Sequence, residues 1–125
     1  MDYQNTKTYD LIKNSDDDFE LGTEVMGAST IIGNDVYNQN DDDLGDIKEI
    51  VLDVRSGKIA YAVLAYGGVL GVGEKLFAVP WGALTLDTEN ERFILNVEKA
   101  KLDVVPGFDS ENWPNRPDPA WINQI

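Results

Sequence analysis

Asp46-Ile47-Lys48-Glu49-Ile50-Val51-Leu52-Asp53, Val54-Arg55-Ser56-Gly57, Lys58-Ile59-Ala60-Tyr61-Ala62-Val63-Leu64-Ala65-Tyr66, Gly67-Gly68-Val69-Leu70-Gly71-Val72-Gly73 and Glu74-Lys75-Leu76-Phe77-Ala78-Val79-Pro80-Trp81 follow one another with hardly a residue to spare. The succession reads as strand, tight turn, strand, glycine loop, strand. Its centre decides the fold. Ile59, Tyr61, Val63 and Ala65 would lie on one side of the second strand and Ala60, Ala62, Leu64 and Tyr66 on the other, so both sides are apolar. Alternation is lost in this way when both faces of a sheet are covered, which makes this a central strand. The first strand would place Ile47, Glu49, Val51 and Asp53 opposite Asp46, Lys48, Ile50, Leu52 and Val54, apolar on both faces only in its second half. The connection Asp53 to Lys58 fits a hairpin loop with Gly57 in the left-handed region.

Outward from this centre, residues 1–27 form a polar, acidic arm with one apolar patch, Phe19 to Leu21, behind Asp16-Asp17-Asp18. Residues 28–105 form the domain. Ala28 to Gly33 leads into a short strand at Asp35 to Tyr37, and Asn38-Gln39-Asn40-Asp41-Asp42-Asp43 has the composition of a loop between strands. Pro80 limits the returning strand, because it cannot donate to a ladder. Trp81 to Leu84 forms a corner, Thr85 to Asp87 a brief strand, Asp87 to Asn90 a turn, and Arg92 to Asn96 a strand with Phe93 and Leu95 facing one way. Asn96 is a good N-cap type, and Val97, Ala100 and Val104 would share one stripe of a short helix that Pro106-Gly107 ends. Residues 106–125 are a tail holding Trp113 and Trp121 among Pro114, Pro117 and Pro119. Two tryptophans are a large apolar area to leave in water, so the tail is expected to dock, on its own barrel or across a dimer.

The 125 residues are enough for one domain with an unstapled core. There is no cysteine, which removes disulfides and thiolate chemistry and fits a reducing compartment, with the cytoplasm as the expectation. The first ten residues lack a secretory pattern, and the longest apolar run, Ile59 to Tyr66, falls far short of the ~20 residues a membrane helix needs. The net charge is −13, and residues 1–43, with eleven acids and two bases, carry most of it. Such a surface repels phosphate backbones, so neither nucleic acid nor an anionic membrane is an expected partner. Solubility is the simplest consequence of the acidity.

Histidine is absent as well as cysteine, so no histidine-based triad, imidazole acid or base, or zinc site of the usual kind is encoded. Gly57-Lys58 lacks the rest of a phosphate loop, and Gly71-Val72-Gly73 lacks the third glycine of a dinucleotide fingerprint. Oxygen ligation of a metal is the remaining option. Aligned on the helix-loop-helix calcium pattern with Gly45 as its glycine, Asn40 and Asp42 suit the first two ligand positions, but Leu44 falls on the third and Val51 on the terminal one. The pattern fails, leaving Asp41, Asp42 and Asp43 as weak candidates for a cation against an ordinary solvated loop. No pair of carboxylates is singled out for acid and base work. No catalytic or cofactor-binding residue is expected.

At Leu44-Gly45-Asp46-Ile47, the Asp53 to Gly57 turn, Ile59 to Val63, Gly67 to Gly73, Lys75 to Trp81 and Leu84 to Asp87, the chain resembles the PRC-barrel family. The family includes the cytoplasmic domain of the photosynthetic reaction-centre H subunit and the C-terminal domain of a ribosome-maturation factor. The tail from Pro106-Gly107-Phe108-Asp109 to Asn112-Trp113-Pro114 is similar to that of the stand-alone bacterial members. The resemblance implies an all-β barrel of about six strands with a short C-terminal helix and irregular arms. It also implies a non-enzymatic protein-interaction or assembly module; the expectation for this chain is that it self-associates as a homodimer or binds another protein. Val69 and Leu70 at the glycine-loop tip are interaction candidates, unless they fold over the barrel mouth, as are Trp113 and Trp121 in the tail. The alternative is a barrel that senses a small ligand or a divalent cation; an accessory role in photosynthetic electron transfer ranks below both.

Overall fold

The computed structural model describes residues 25–67 and 73–117. A helical turn α1 (Ala28–Ile31) precedes β1 (Asp35–Tyr37), β2 (Asp43–Asp53), β3 (Lys58–Tyr66) and β4 (Lys75–Val79). A 3-10 turn (Trp81–Ala83) joins β4 to β5 (Leu84–Asp87), followed by β6 (Arg92–Leu95) and a helix α2 (Lys99–Val104). The strands form one six-stranded sheet in the order β4-β3-β2-β1-β6-β5, so the fold is all-β as the sequence implies. Every pairing is antiparallel except that of β1 with β6.

This order forces the sheet to curl. In a flat sheet β4 and β5 would lie about 24 Å apart, five spacings of about 4.8 Å. Yet only Pro80, Trp81, Gly82 and Ala83 separate Val79 from Leu84, and that length of chain spans at most about 17 Å when fully extended. The two end strands are therefore drawn together by the turn and not by a ladder of their own. Inside the curl lies one apolar cluster containing Val36, Leu44, Ile47, Leu64, Phe77, Phe93 and Leu95, with Trp81 packed against it. The Trp81 and Phe93 rings stand 5.9 Å apart.

β3 has both faces buried from Tyr61 to Tyr66, as its composition requires. Ala62, Leu64 and Tyr66 belong to the inner cluster, while Tyr61, Val63 and Ala65 belong to a second cluster on the outer face with Leu76 and Ala78 of β4. β2 departs from simple alternation. Its register with β3 slips between Ile47 and Glu49, and the bulged residue Lys48 changes the side to which everything after it points. Ile47 and Ile50 consequently both reach the inner cluster, and Val51 turns to the outer one, whereas strict alternation puts Ile47 and Val51 together.

The ends also differ from the sequence reading. Residues 28–31 make a helical turn instead of running straight into β1, which brings Ile31 into the core at 7% exposure. The backbone of the following Gly33 and Asn34 is tied to Ile47, with Gly33 N to Ile47 O at 2.7 Å and Ile47 N to Asn34 O at 3.0 Å. α2 begins at Lys99, with Glu98 and not Asn96 at its N-cap. Val97 is buried, but it precedes the helix and so shares no stripe with Ala100 and Val104; the helix buries Leu102 and leaves Val104 78% exposed.

Gly45 is fixed by space and by backbone angle. It sits at φ 130°, and a Cβ there would lie 2.0 Å from the Ala65 carbonyl oxygen across the β2–β3 ladder. Nothing but glycine fits without moving backbone. Gly45→Ala should therefore cost at least about 3 kcal/mol or prevent folding, read as the urea midpoint of unfolding; a midpoint equal to that of the unaltered chain would contradict this geometry.

Candidate interaction site

The outer face of β3 and β4 is covered by the segment that follows α2. Gly107 starts it with a close approach: a Cβ there would lie 2.7 Å from Leu76 O and 2.8 Å from Leu76 N. That approach lets Phe108 N donate to Leu76 O at 2.8 Å and form an isolated antiparallel bridge on the free edge of β4. The Phe108 ring packs on the outer cluster. Asp109 Oδ1 then accepts from Glu111 N at 3.0 Å and Asp109 O from Asn112 N at 2.9 Å, which turns the chain back. Trp113 meets Phe108 edge to face with ring centres 5.4 Å apart, and its Nε1 donates to Ser110 O at 2.6 Å. Tyr61, fully buried, donates its hydroxyl to Pro114 O at 2.7 Å. Burial raises the pKa of the Tyr61 phenol, because the charged form would lose its water.

α2 is held to the sheet by polar groups of β3 and β4. Lys75 Nζ donates to Leu102 O, Asp103 O and Val105 O at 3.1, 2.6 and 3.3 Å, satisfying carbonyls that the helix end leaves open. Tyr66 donates its hydroxyl to Asp103 Oδ1 in a short bond and lies 3.3 Å from Lys99 O. Burial first, and then the bond to Asp103 and its negative charge, push the Tyr66 phenol up to about 12.

The acidic loop is organised by a buried asparagine. Asn38, 1% exposed, accepts at Oδ1 from Asn40 N and Asp42 N, both at 2.9 Å, and donates from Nδ2 to Asp42 Oδ2 and Val97 O, both at 3.1 Å. Both donors and both acceptor sites are used, so the side chain closes the loop and ties it to the entry of α2. The three aspartates do not converge. Asp41 pairs with Arg92 at 2.6 Å, Asp42 receives Asn38, and Asp43 Oδ1 accepts from Gly45 N at 2.9 Å. Arg92 also stands 4.2 Å over the Tyr37 ring and 3.3 Å from Asp87. The carboxyl of Asp87 is held below its usual range by Asn90 first and by Arg92. Partial burial, followed by the neighbouring Glu74 and Asp35, raises the pKa of Asp46. Among the described residues no group of three or more acids could hold a metal ion.

A cleft of about 530 Å³ opens where the tail meets the edge of β4, between Leu76, Phe77 and Ala78 on one side and Pro114, Arg116 and Pro117 on the other. Ala78 is 3% exposed. Since Leu76 turns its carbonyl to the free edge, Ala78, two residues on, turns its N–H and C=O the same way. No hydrogen bond from outside the β3–β4 ladder reaches Ala78 among the described residues. Trp113, one of the interaction candidates, lies near this cleft at 38% exposure, against Phe108. Val69, Leu70 and Trp121 lie outside the described residues. Sequence reading missed Asn38, Gly107 and the β4 edge. A signal for the outer cover was there: a strand apolar on both faces requires one, and Phe108 supplies part of it.

The chain belongs to the PRC-barrel domain family, whose sequence model matches residues 23–102. Among solved structures it is similar to the 16S ribosomal RNA processing protein RimM of Pseudomonas aeruginosa, with 14% identity and a TM-score of 0.40 over 64% of this chain and 48% of that one. The match thus spans about half of that protein's length. No curated protein matches the sequence. No helix among the described residues is long and apolar enough to cross a membrane.

Tyr66 makes the stability depend on alkaline pH in a defined direction. The folded chain keeps this proton to about 12, against 10.0 for a free tyrosine, so its contribution is intact below pH 10 and is lost as the pH climbs through 12. Urea unfolding at pH 8 and pH 11.5 should show a lower midpoint at the higher value. Tyr66→Phe should cost about 1–2 kcal/mol at pH 8 and abolish the larger share of the alkaline loss. An alkaline loss of the same size in the variant would assign it elsewhere.

Proposed function

We propose that this protein is a non-enzymatic interaction module that assembles with other protein chains, a second copy of itself among them, by accepting an extended segment along the edge of β4. The observation that carries this reading is the cleft beside Ala78 on the outer edge of β4, lined by Leu76, Phe77, Pro114 and Pro117 together with the polar Asn115 and Arg116. Exposed sheet edges bind extended peptides through main-chain hydrogen bonds, and flanking pockets select the side chains. Family membership supports a binding role.

Light scattering after size exclusion tests the self-association directly. The mass should rise from one chain towards two as the concentration increases from micromolar to millimolar. A single-chain mass across that range would contradict assembly with a second copy.

A further inference from the structure

The hairpin of β2 and β3 runs past its neighbours at the turn end. β2 pairs with β1 only as far as Asp46 and β3 pairs with β4 only from Ala62, so residues 50–59 extend beyond both. The turn is held by its own atoms: Asp53 O accepts from Gly57 N at 2.7 Å, Asp53 Oδ1 from Arg55 N at 3.0 Å, and Ser56 Oγ from Lys58 N at 3.2 Å. This fixed tip presents an apolar side chain to water. Val54 is 91% exposed and Leu52 behind it 53%. Arg55 and Lys58 are exposed as well, and residues 54–58 carry two bases and no acid in a chain of net charge −13.

The other end of the same hairpin has the complementary character. On the outer face a cleft of about 300 Å³ lies between Lys48, Glu74, Leu76, Phe108 and Ser110. Leu76 and Phe108 belong to the outer apolar cluster, and acids crowd beside them. Asp35 and Asp46 are directly opposed across the β1–β2 ladder, and Glu74 and Asp43 add their negative charge at Asp46 against Lys48 alone. Like charges placed opposite one another destabilise a sheet, so a cation brought to Asp46 relieves a repulsion already present.

We propose that two copies of this chain assemble by placing the hairpin tip of one in the outer-face cleft of the other, with Val54 between Leu76 and Phe108 and Arg55 against Asp46 and Glu74. The contact goes beyond docking at the β4 edge, since it needs nothing at Ala78. One chain cannot make it with itself, because about 20 Å of extended strand separates Lys48 from Val54 at about 3.3 Å per residue. Between two copies the same separation is an advantage. Hairpins laid antiparallel bring each tip to the other's cleft, so the contact forms twice about a two-fold axis and closes at two chains. Chains of net charge −13 repel one another, and the meeting of tip bases with cleft acids singles out an approach that lowers this repulsion. The internal bonds of the turn mean that little order has to be gained on docking.

Sedimentation equilibrium of the full chain from micromolar to millimolar concentration tests the proposal. The mass should level off at two chains. Val54→Asp and Arg55→Glu should each weaken association about tenfold or more. Asp46→Lys should weaken it as much while folding at least as well, because it removes the opposition to Asp35. Combining Arg55→Glu with Asp46→Lys in one chain exchanges the charges and should return the dissociation constant to within about threefold of the original. Urea midpoints of Val54→Asp and Arg55→Glu at micromolar concentration should match that of the unaltered chain, which separates lost contact from lost folding. A single-chain mass up to millimolar concentration, or a mass that climbs past two chains, would overturn the proposal. So would a combined variant no better than either single one. Dimers that tolerate every substitution would overturn it too, and would leave docking at the β4 edge standing.

Discussion

A strand apolar on both sides has to be covered twice, and β3 sets this condition for the whole molecule. Its inner face is covered when the sheet curls, drawn round by the short link from β4 to β5. Its outer face is covered by the segment after α2, through Phe108 on the outer cluster and the Tyr61 hydroxyl on Pro114 O. The tail therefore completes the core. Among the described residues this cover stops short of Ala78, because Phe108 takes the edge at Leu76.

Polar groups inside the fold serve the same arrangement. Lys75 closes the carbonyl end of α2 and so fixes where the tail begins, while Tyr66 holds Asp103 on the same helix. Asn38 binds the acidic loop to Val97, and Arg92 binds it to the β5–β6 turn through Asp41 and Asp87. In each case one side chain joins two elements distant in sequence, which is how a small curled sheet positions its helix and loops. Within the acidic loop Asp41, Asp42 and Asp43 each bond a different partner, Arg92, Asn38 and Gly45 N.

Much of this was legible in the sequence, and the part that was not has a physical reason. The double-sided apolar pattern of residues 59–66, the Gly57 hairpin and the turn signals around residues 38–43 and 87–90 specify the strands because they depend on local preference and period. The bulge at Lys48 was invisible, since alternation assumes equal advance on both strands and only the partner strand reveals the extra residue. Gly45 entered the sequence reading through the failed calcium pattern and the family resemblance, and Gly107 as a helix stop, yet what fixes them is backbone passing close by from residues far away in the chain, Ala65 and Leu76. α2 was placed from its apparent cap, whereas its position follows from Leu102 entering the core and from the bonds to Lys75. The β4 edge that we propose for docking was hidden for a similar reason: a backbone group left without a partner among the described residues is a property of the assembled sheet, and no residue type announces it.

The central claim is that the tail is part of the core, and urea unfolding of Phe108→Ala tests it most directly. Removing a partly buried phenylalanine that packs on β3 and β4 should lower global stability by about 2–3 kcal/mol, with the amides of β3 losing protection together with those of the tail. A variant within about 0.5 kcal/mol of the unaltered chain, its β3 amides as protected as before, would show that the outer face of β3 does not need this cover and would contradict the account.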